Sequence, residues 1–215
     1  ILLAAIQNDT VRSYQTIAST VSLGVKFFEI EIFSAIRSSL GHGVAPVLVI
    51  DIGAATTKMY VVERGVVKMT HLQTYGGQQM TEHITRTLNW EFDKAERVKR
   101  EHGLLDTSVF STDENERIRA ALLSTLSRTF SEANRVLLSY GKRYNKVVSK
   151  IILSGGGAAL PGLEAAAHNE LQAEVVLADP FVRTETPAFL SNVLSEIGPS
   201  FSVAVGLALR GLRGN

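Results

Sequence analysis

The chain has 215 residues, 45% of them hydrophobic and 20% charged, so a globular core is readily filled in one large domain or two small ones. Its 22 Lys and Arg against 21 Asp and Glu leave a net charge of +1, which argues against a nucleic-acid-binding protein. There is no cysteine, which excludes disulfides, thiolate zinc sites and a cysteine nucleophile.

The chain opens on Ile1, and residues 1–6 read as a strand already under way, as in a piece of a longer protein. Asn8-Asp9-Thr10 supplies N-cap chemistry. Val11, Tyr14, Ile17, Ala18 and Val21 then recur at helical spacing up to Gly24, a candidate C-cap. Residues 25–32 alternate like a strand and residues 33–40 look helical. Gly41-His42-Gly43 with Pro46 forms a loop and the best internal boundary.

Residues 47–51 are a continuous apolar run, typical of a buried central strand. Residues 58–63 and 66–73 read as a hairpin around Arg64-Gly65. Gly76-Gly77 opens a helix to Leu88, residues 92–102 form a charged helix ending at Gly103, and a loop over 106–112 leads into a long helix over 113–140. A strand over 147–153 runs into Gly155, Gly156 and Gly157, followed by a helix over 160–171 and a short strand over 175–177. Residues 180–199 are poorly patterned, and 200–212 close as an apolar helix. Apolar runs are strand-sized, so no membrane span is expected. The mixture predicts an α/β fold with a mixed sheet.

Three constellations carry possible chemistry. In the first, a buried strand ends in Asp51, then Ile52-Gly53-Ala54-Ala55, then Thr56 and Thr57. Small residues let backbone N–H groups approach a phosphate, the hydroxyls can bond its oxygens, and Asp51 can hold Mg²⁺ through water. The segment reads equally as a tight hairpin with Asp51 as a turn residue. In the second, Ser154 leads into three glycines, which suit a flat ligand pressed on the main chain or a plain flexible loop. In the third, Glu96 and Lys99 share one helix face and can clasp a ribose or base, although a solvated charged face is the commoner reading of such a pair. The five histidines show no metal-ligand spacing.

The order of these pieces resembles the second half of the actin/Hsp70/sugar-kinase superfamily. Within it, Asp51-Ile52-Gly53-Ala54, Tyr75-Gly76-Gly77, Ala95-Glu96-Arg97-Val98-Lys99, residues 151–163 and Ala204-Val205-Gly206-Leu207 are similar to the PilM family of type IV pilus assembly, related to FtsA. The resemblance implies an actin-like ATPase (ribonuclease H-like) fold with mixed sheets and flanking helices, lacking its N-terminal part. Residues 1–24 would end a small inserted subdomain, 25–45 would complete the first large subdomain, and 46–215 would form the second, with a helical insertion at about 77–145.

It implies ATP and Mg²⁺ as cofactors. Asp51 and Glu31 would be the catalytic residues, Asp51 ordering the metal's water and Glu31 standing where the first connecting segment of the family lies. Gly53, Ala54, Ala55, Thr56 and Thr57 would hold phosphate. Gly76 and Gly77 would enter the smaller subdomain, Glu96 and Lys99 would hold ribose or base, and Gly155, Gly156 and Gly157 would back the adenosine. Ala54-Ala55 replaces glycines and the first phosphate loop is expected upstream of Ile1, so ATP turnover would be weak at most. The implied partner is the cytoplasmic tail of a PilN-type inner-membrane protein, with self-association a further expectation. The location would be cytoplasmic, peripheral to the inner membrane. A small-molecule kinase, or an FtsA-like or secretion-system scaffold without turnover, are the competing readings.

Overall fold

The structure is a computed structural model that describes residues 5–41 and 43–212. Its centre is the apolar run expected to be a buried strand, β1 (Val47–Ile52). Antiparallel to it lies β2 (Thr57–Glu63), which turns into the antiparallel β3 (Val66–Gln73). The turn between them is Arg64-Gly65, with φ of 52° and 73°, the left-handed pair that a tight hairpin needs. On the other side, β4 (Lys150–Ser154) and β5 (Glu174–Leu177) continue in parallel, giving the order β3-β2-β1-β4-β5. The sheet is mixed, as expected, because hairpin strands meet crossover strands on β1.

Alternation along β1 sorts the core into two layers. Leu48, Ile50 and Ile52 face α3 (Gly77–Leu88), α4 (Phe92–Glu101), α5 (Thr112–Tyr144) and α6 (Leu163–Glu170). Val49 faces the opposite layer with Tyr60, Val62 and Ile152, covered by α2 (Glu31–Ser39) and α7 (Ser191–Leu212). Ser111 caps α5 by accepting the Glu114 N–H while Glu114 reaches back, a reciprocal box that fixes where this 33-residue helix starts.

Several expectations are corrected. Residues 25–30 form no strand: Glu29 turns inward to Arg37 and Arg210, and the chain enters α2 at Glu31. The first helix, α1 (Asn8–Thr20), ends before Gly24 and is preceded by Gln7 without a side-chain cap. Of the strand expected over 1–6, residues 1–4 lie outside the described residues, as does His42, and Ala5 and Ile6 have no regular structure. β4 starts at Lys150, leaving Val147 exposed. α6 starts at Leu163, because Gly156–Ala159 forms a 3₁₀ turn and Gly162 is left-handed at φ 81°.

The largest correction is α7, which begins at Ser191 and runs through Pro199. Ala188–Leu212 is long and apolar enough, by length and composition, to cross a bilayer, with a mean hydropathy of 1.3. Reading a break at Pro199 hid this. Here the helix lies against α2, with Gly206 on the backbone of Ser34 and Ser38 Oγ donating to the Ser202 carbonyl at 2.6 Å.

Candidate functional site

The parallel pairing of β1 and β4 sets Asp51 opposite Ser154, so the two strand ends singled out in the sequence lie side by side. Beyond β1 the chain makes a tight turn, closed by the Gly53 N–H donating to the Thr56 carbonyl at 2.9 Å. Beyond β4, Gly155 takes φ 83° and donates its N–H to the Pro199 carbonyl at 2.9 Å. A Cβ on Gly155 would overlap the Asp51 carboxylate and the Ile52 carbonyl. A side chain at this place is opposed on both steric and conformational grounds.

The start of α3 is bonded to the turn. Gly77 and Gln78 donate their N–H groups to the carbonyls of Gly53 and Ala54, at 2.9 and 2.8 Å. Gly76 passes so close that a Cβ would strike the Gly53 carbonyl. Thr57 Oγ1 donates to the Tyr75 carbonyl at 2.9 Å and is buried, so this hydroxyl locks the turn to the α3 entry. Ala54 and Ala55 are exposed and Thr56 is half-buried, leaving them on the open side of the turn.

Glu96 and Lys99 form a closed cluster. Lys99 Nζ donates to the Gly77 carbonyl at 3.0 Å, Thr81 Oγ1 at 2.8 Å and Glu96 Oε2 at 2.6 Å. Thr81 also meets Glu96 Oε2, and Arg100 Nε donates to Glu96 Oε1 at 2.6 Å. Burial pushes the Glu96 carboxyl up, but the hydrogen bonds from Lys99, Thr81 and Arg100 prevail and bring it down to about 2. All three Lys99 donors are used, so Lys99 shapes the site by holding Glu96 and the first turn of α3.

Around these groups opens a cavity of about 550 Å³. The turn contributes Gly53 and Ala54, α4 contributes Glu96 and Arg100, the β4 loop contributes Gly156 and Gly157, and α7 contributes Ile197 and Ser200. The volume suits a nucleoside-sized ligand. Thus Gly53, Ala54, Gly77, Glu96, Lys99, Gly156 and Gly157 converge on one cavity, and Gly76 and Gly155 hold its walls together.

Asp51 and Glu31 lie away from this cavity, on the α2 side of the sheet. Asp51 is paired in register with Lys58, and Lys58 Nζ forms an ion pair with Glu31 Oε1 at the start of α2. Burial raises the Asp51 carboxyl, Lys58 lowers it and Glu31 raises it, with a net shift upward and no hydrogen-bond contribution. The Tyr60 hydroxyl is buried without a hydrogen-bond partner, and its ionisation is pushed up by burial, then by Asp51 and Glu31. A carboxylate with free oxygens fits a water-mediated hold on Mg²⁺, which keeps most of its hydration shell. Among the described residues no group of three or more His, Cys, Asp or Glu can cage a metal directly.

The sequence reading missed Phe92, Arg100, Ile197 and Ser200 in the cavity, Thr81 beneath it and Lys58 at the strand end. Arg100 was recoverable from its i,i+4 spacing to Glu96, and Lys58 from the hairpin count across Gly53 to Thr56. Ile197 was hidden with the start of α7.

Comparisons with known proteins agree with this architecture. A family described as "Type IV pilus assembly protein PilM" matches residues 1–212. The solved structure of a PilM-PilN type IV pilus biogenesis complex superposes with a TM-score of 0.78 and 26% identity, over 94% of this chain and 57% of that one. MreB 5 of Spiroplasma citri, solved bound to AMPPNP, shares the fold at a TM-score of 0.69 and 15% identity, over 98% and 67% of the two chains. The cell division protein FtsA of Bacillus subtilis is 27% identical over 163 residues, covering 68% of this chain and 37% of FtsA. The chain therefore spans less than two thirds of the PilM chain in that complex and of FtsA. With an actin-like mixed sheet and a family match from end to end of its described residues, the chain belongs to the PilM family of type IV pilus assembly proteins.

Proposed function

We propose that this chain supplies two walls of an ATP site in an actin-like assembly protein. The observation that carries the reading is convergence: four segments far apart in sequence, at Gly53, Gly77, Glu96 and Gly156, meet around one cavity of about 550 Å³. In this reading the nucleoside lies between α4, the β4 loop and α7, with Glu96 toward the ribose. The polyphosphate runs across Ala54, Ala55 and Thr56 toward Asp51, which holds Mg²⁺ through water. The neighbour solved with AMPPNP supports a nucleotide on this fold. In this reading turnover is slow or absent, as expected from Ala54-Ala55 in the phosphate turn.

The biological role that fits is a cytoplasmic scaffold peripheral to the inner membrane, docking the tail of a PilN-type protein. The neighbour described as a PilM-PilN complex supports that partner. In this reading the unit that carries the site begins at about residue 46, with 77–145 as its helical insertion, and α2, from the segment 25–45, packs on its sheet. Isothermal titration with ATP and Mg²⁺ tests the reading: saturable heat is expected, with ATP preferred over adenosine. A flat titration at high protein concentration would falsify it, and would favour a scaffold that has lost the nucleotide.

A further inference from the structure

The strand end at Asp51 carries a cation that the nucleotide reading does not use. β1 and β2 pair Asp51 with Lys58 and Val49 with Tyr60, so these four side chains leave the sheet on one face. From α2, Glu31 approaches the same place and pairs with Lys58. Glu31 thus holds the ammonium, Asp51 feels its charge without bonding to it, and the unpartnered Tyr60 hydroxyl is buried nearby.

A triphosphate crossing the turn needs positive charge there, and the donors closest to the turn are engaged elsewhere. The leading N–H groups of α3, Gly77 and Gln78, are taken by the Gly53 and Ala54 carbonyls. Lys99 gives all its donors to the Gly77 carbonyl, Thr81 and Glu96, and Arg100, bonded to Glu96 through Nε and otherwise exposed, stands on α4 at the nucleoside end of the cavity. Lys58 differs. Its bond to Glu31 is half in water, with side-chain exposures of 34% and 45%, and such pairs are weakly held. A polyphosphate carries several charges to the one of Glu31, so it wins the exchange.

We infer that Lys58 is the phosphate-side cation of the site, leaving Glu31 to pair with the bound polyphosphate and reducing the dependence of nucleotide binding on Mg²⁺. The inference rests on the ATP reading above. It makes Glu31 a competitor for Lys58, rather than a group that touches the metal.

The test is titration of ATP into the protein in magnesium and in excess EDTA, with Lys58→Met, Lys58→Arg and Glu31→Gln alongside. For the parent, EDTA is expected to weaken binding by only about threefold. Lys58→Met is expected to lose about tenfold in EDTA, with most of it recovered in magnesium, and Lys58→Arg to behave as the parent. Glu31→Gln is expected to bind ATP in EDTA about threefold more tightly, because it releases Lys58. Adenosine binding should be the same in all four proteins, since the nucleoside end is untouched. Thermal melts of the variants close to the parent's exclude a folding cause.

If EDTA abolishes ATP binding to the parent, or if Lys58→Met binds as the parent does in both buffers, the inference is wrong and Lys58 is a surface ion pair. If the parent binds ATP in neither buffer, the nucleotide reading itself falls, and this inference with it.

Discussion

Two carboxylates flank the candidate site, and the fold treats them in opposite ways. Glu96 has both oxygens hydrogen-bonded, to Lys99, Thr81 and Arg100, and its carboxyl is held at about 2. Asp51 is more deeply enclosed, receives no hydrogen bond that lowers it, and is pushed above its ordinary 3.8. A carboxylate already satisfied is a structural part. One that is buried, charged and unsatisfied stores an unfavourable energy that a bound cation can release. In the nucleotide reading proposed above, Glu96 and Lys99 build the cavity wall and Asp51 meets the ligand's charged end.

The largest effect is expected where the two strand ends touch. Gly155→Val places a side chain at φ 83° against the Asp51 carboxylate. We expect a loss of about 3 kcal/mol, seen as a fall in Tm of about 6–12 °C by circular dichroism. A melt within about 2 °C of the parent would show that the β4 loop can retreat from Asp51.

Next comes Lys99→Ala, which leaves Glu96 charged and partly buried. Complete burial would cost 3–5 kcal/mol, and with the Glu96 side chain 24% exposed we expect about 2 kcal/mol in urea unfolding. If Lys99→Ala melts like the parent but loses ATP, Lys99 is a ligand-binding group and the contrast with Asp51 collapses. The intact cluster also has a pH signature. Glu96, and Glu29 with its Arg37 hydrogen bonds, are both lowered from 4.5 to about 2. Their stabilisation is therefore complete above pH 4.5 and is lost as the pH falls toward 2. Chemical denaturation across that range should show a steep decline, and the Glu96 share of it should vanish in Glu96→Gln.

Thr57→Val removes the buried hydroxyl bond to the Tyr75 carbonyl, and about 1 kcal/mol is expected. If instead stability is unchanged and ATP binding is lost, Thr57 faces phosphate. The smallest effect is expected for Asp51→Asn. A raised carboxyl destabilises the fold in its ionised form, so at pH 7 the variant should melt at the parent's Tm or about 1–2 °C higher. The same variant should lose the benefit of magnesium in the ATP titration.

Much of the fold was legible because local signals agreed. The apolar run of β1, the Arg64-Gly65 turn and the Gly76-Gly77 opening of α3 each stand on one short stretch, and each lies where the sequence put it. Residues 25–32 failed because alternation cannot tell a strand from an extended segment whose inward residue, Glu29, serves an ion-pair network on α2 and α7. The start of α7 failed because Pro199 reads as a break. In the structure the helix continues through it, and its carbonyl accepts the Gly155 N–H, a tertiary bond that holds this turn of α7 against the end of β4.

At the two strand ends, the sequence by itself determined the residue types: small residues after Asp51, glycines after Ser154, and a Glu and Lys three apart on α4. Those choices are local, because turn geometry and helix periodicity act over a few residues. Only the tertiary structure decided their roles. Lys99 became a wall residue because its acceptors Gly77 and Thr81 come from another helix. Asp51 became the open group because the strand register gave it Lys58 across the hairpin and Gly155 from β4, and no hydrogen-bond donor. Charge satisfaction depends on which groups meet in space, and that is fixed by packing between segments distant in the chain.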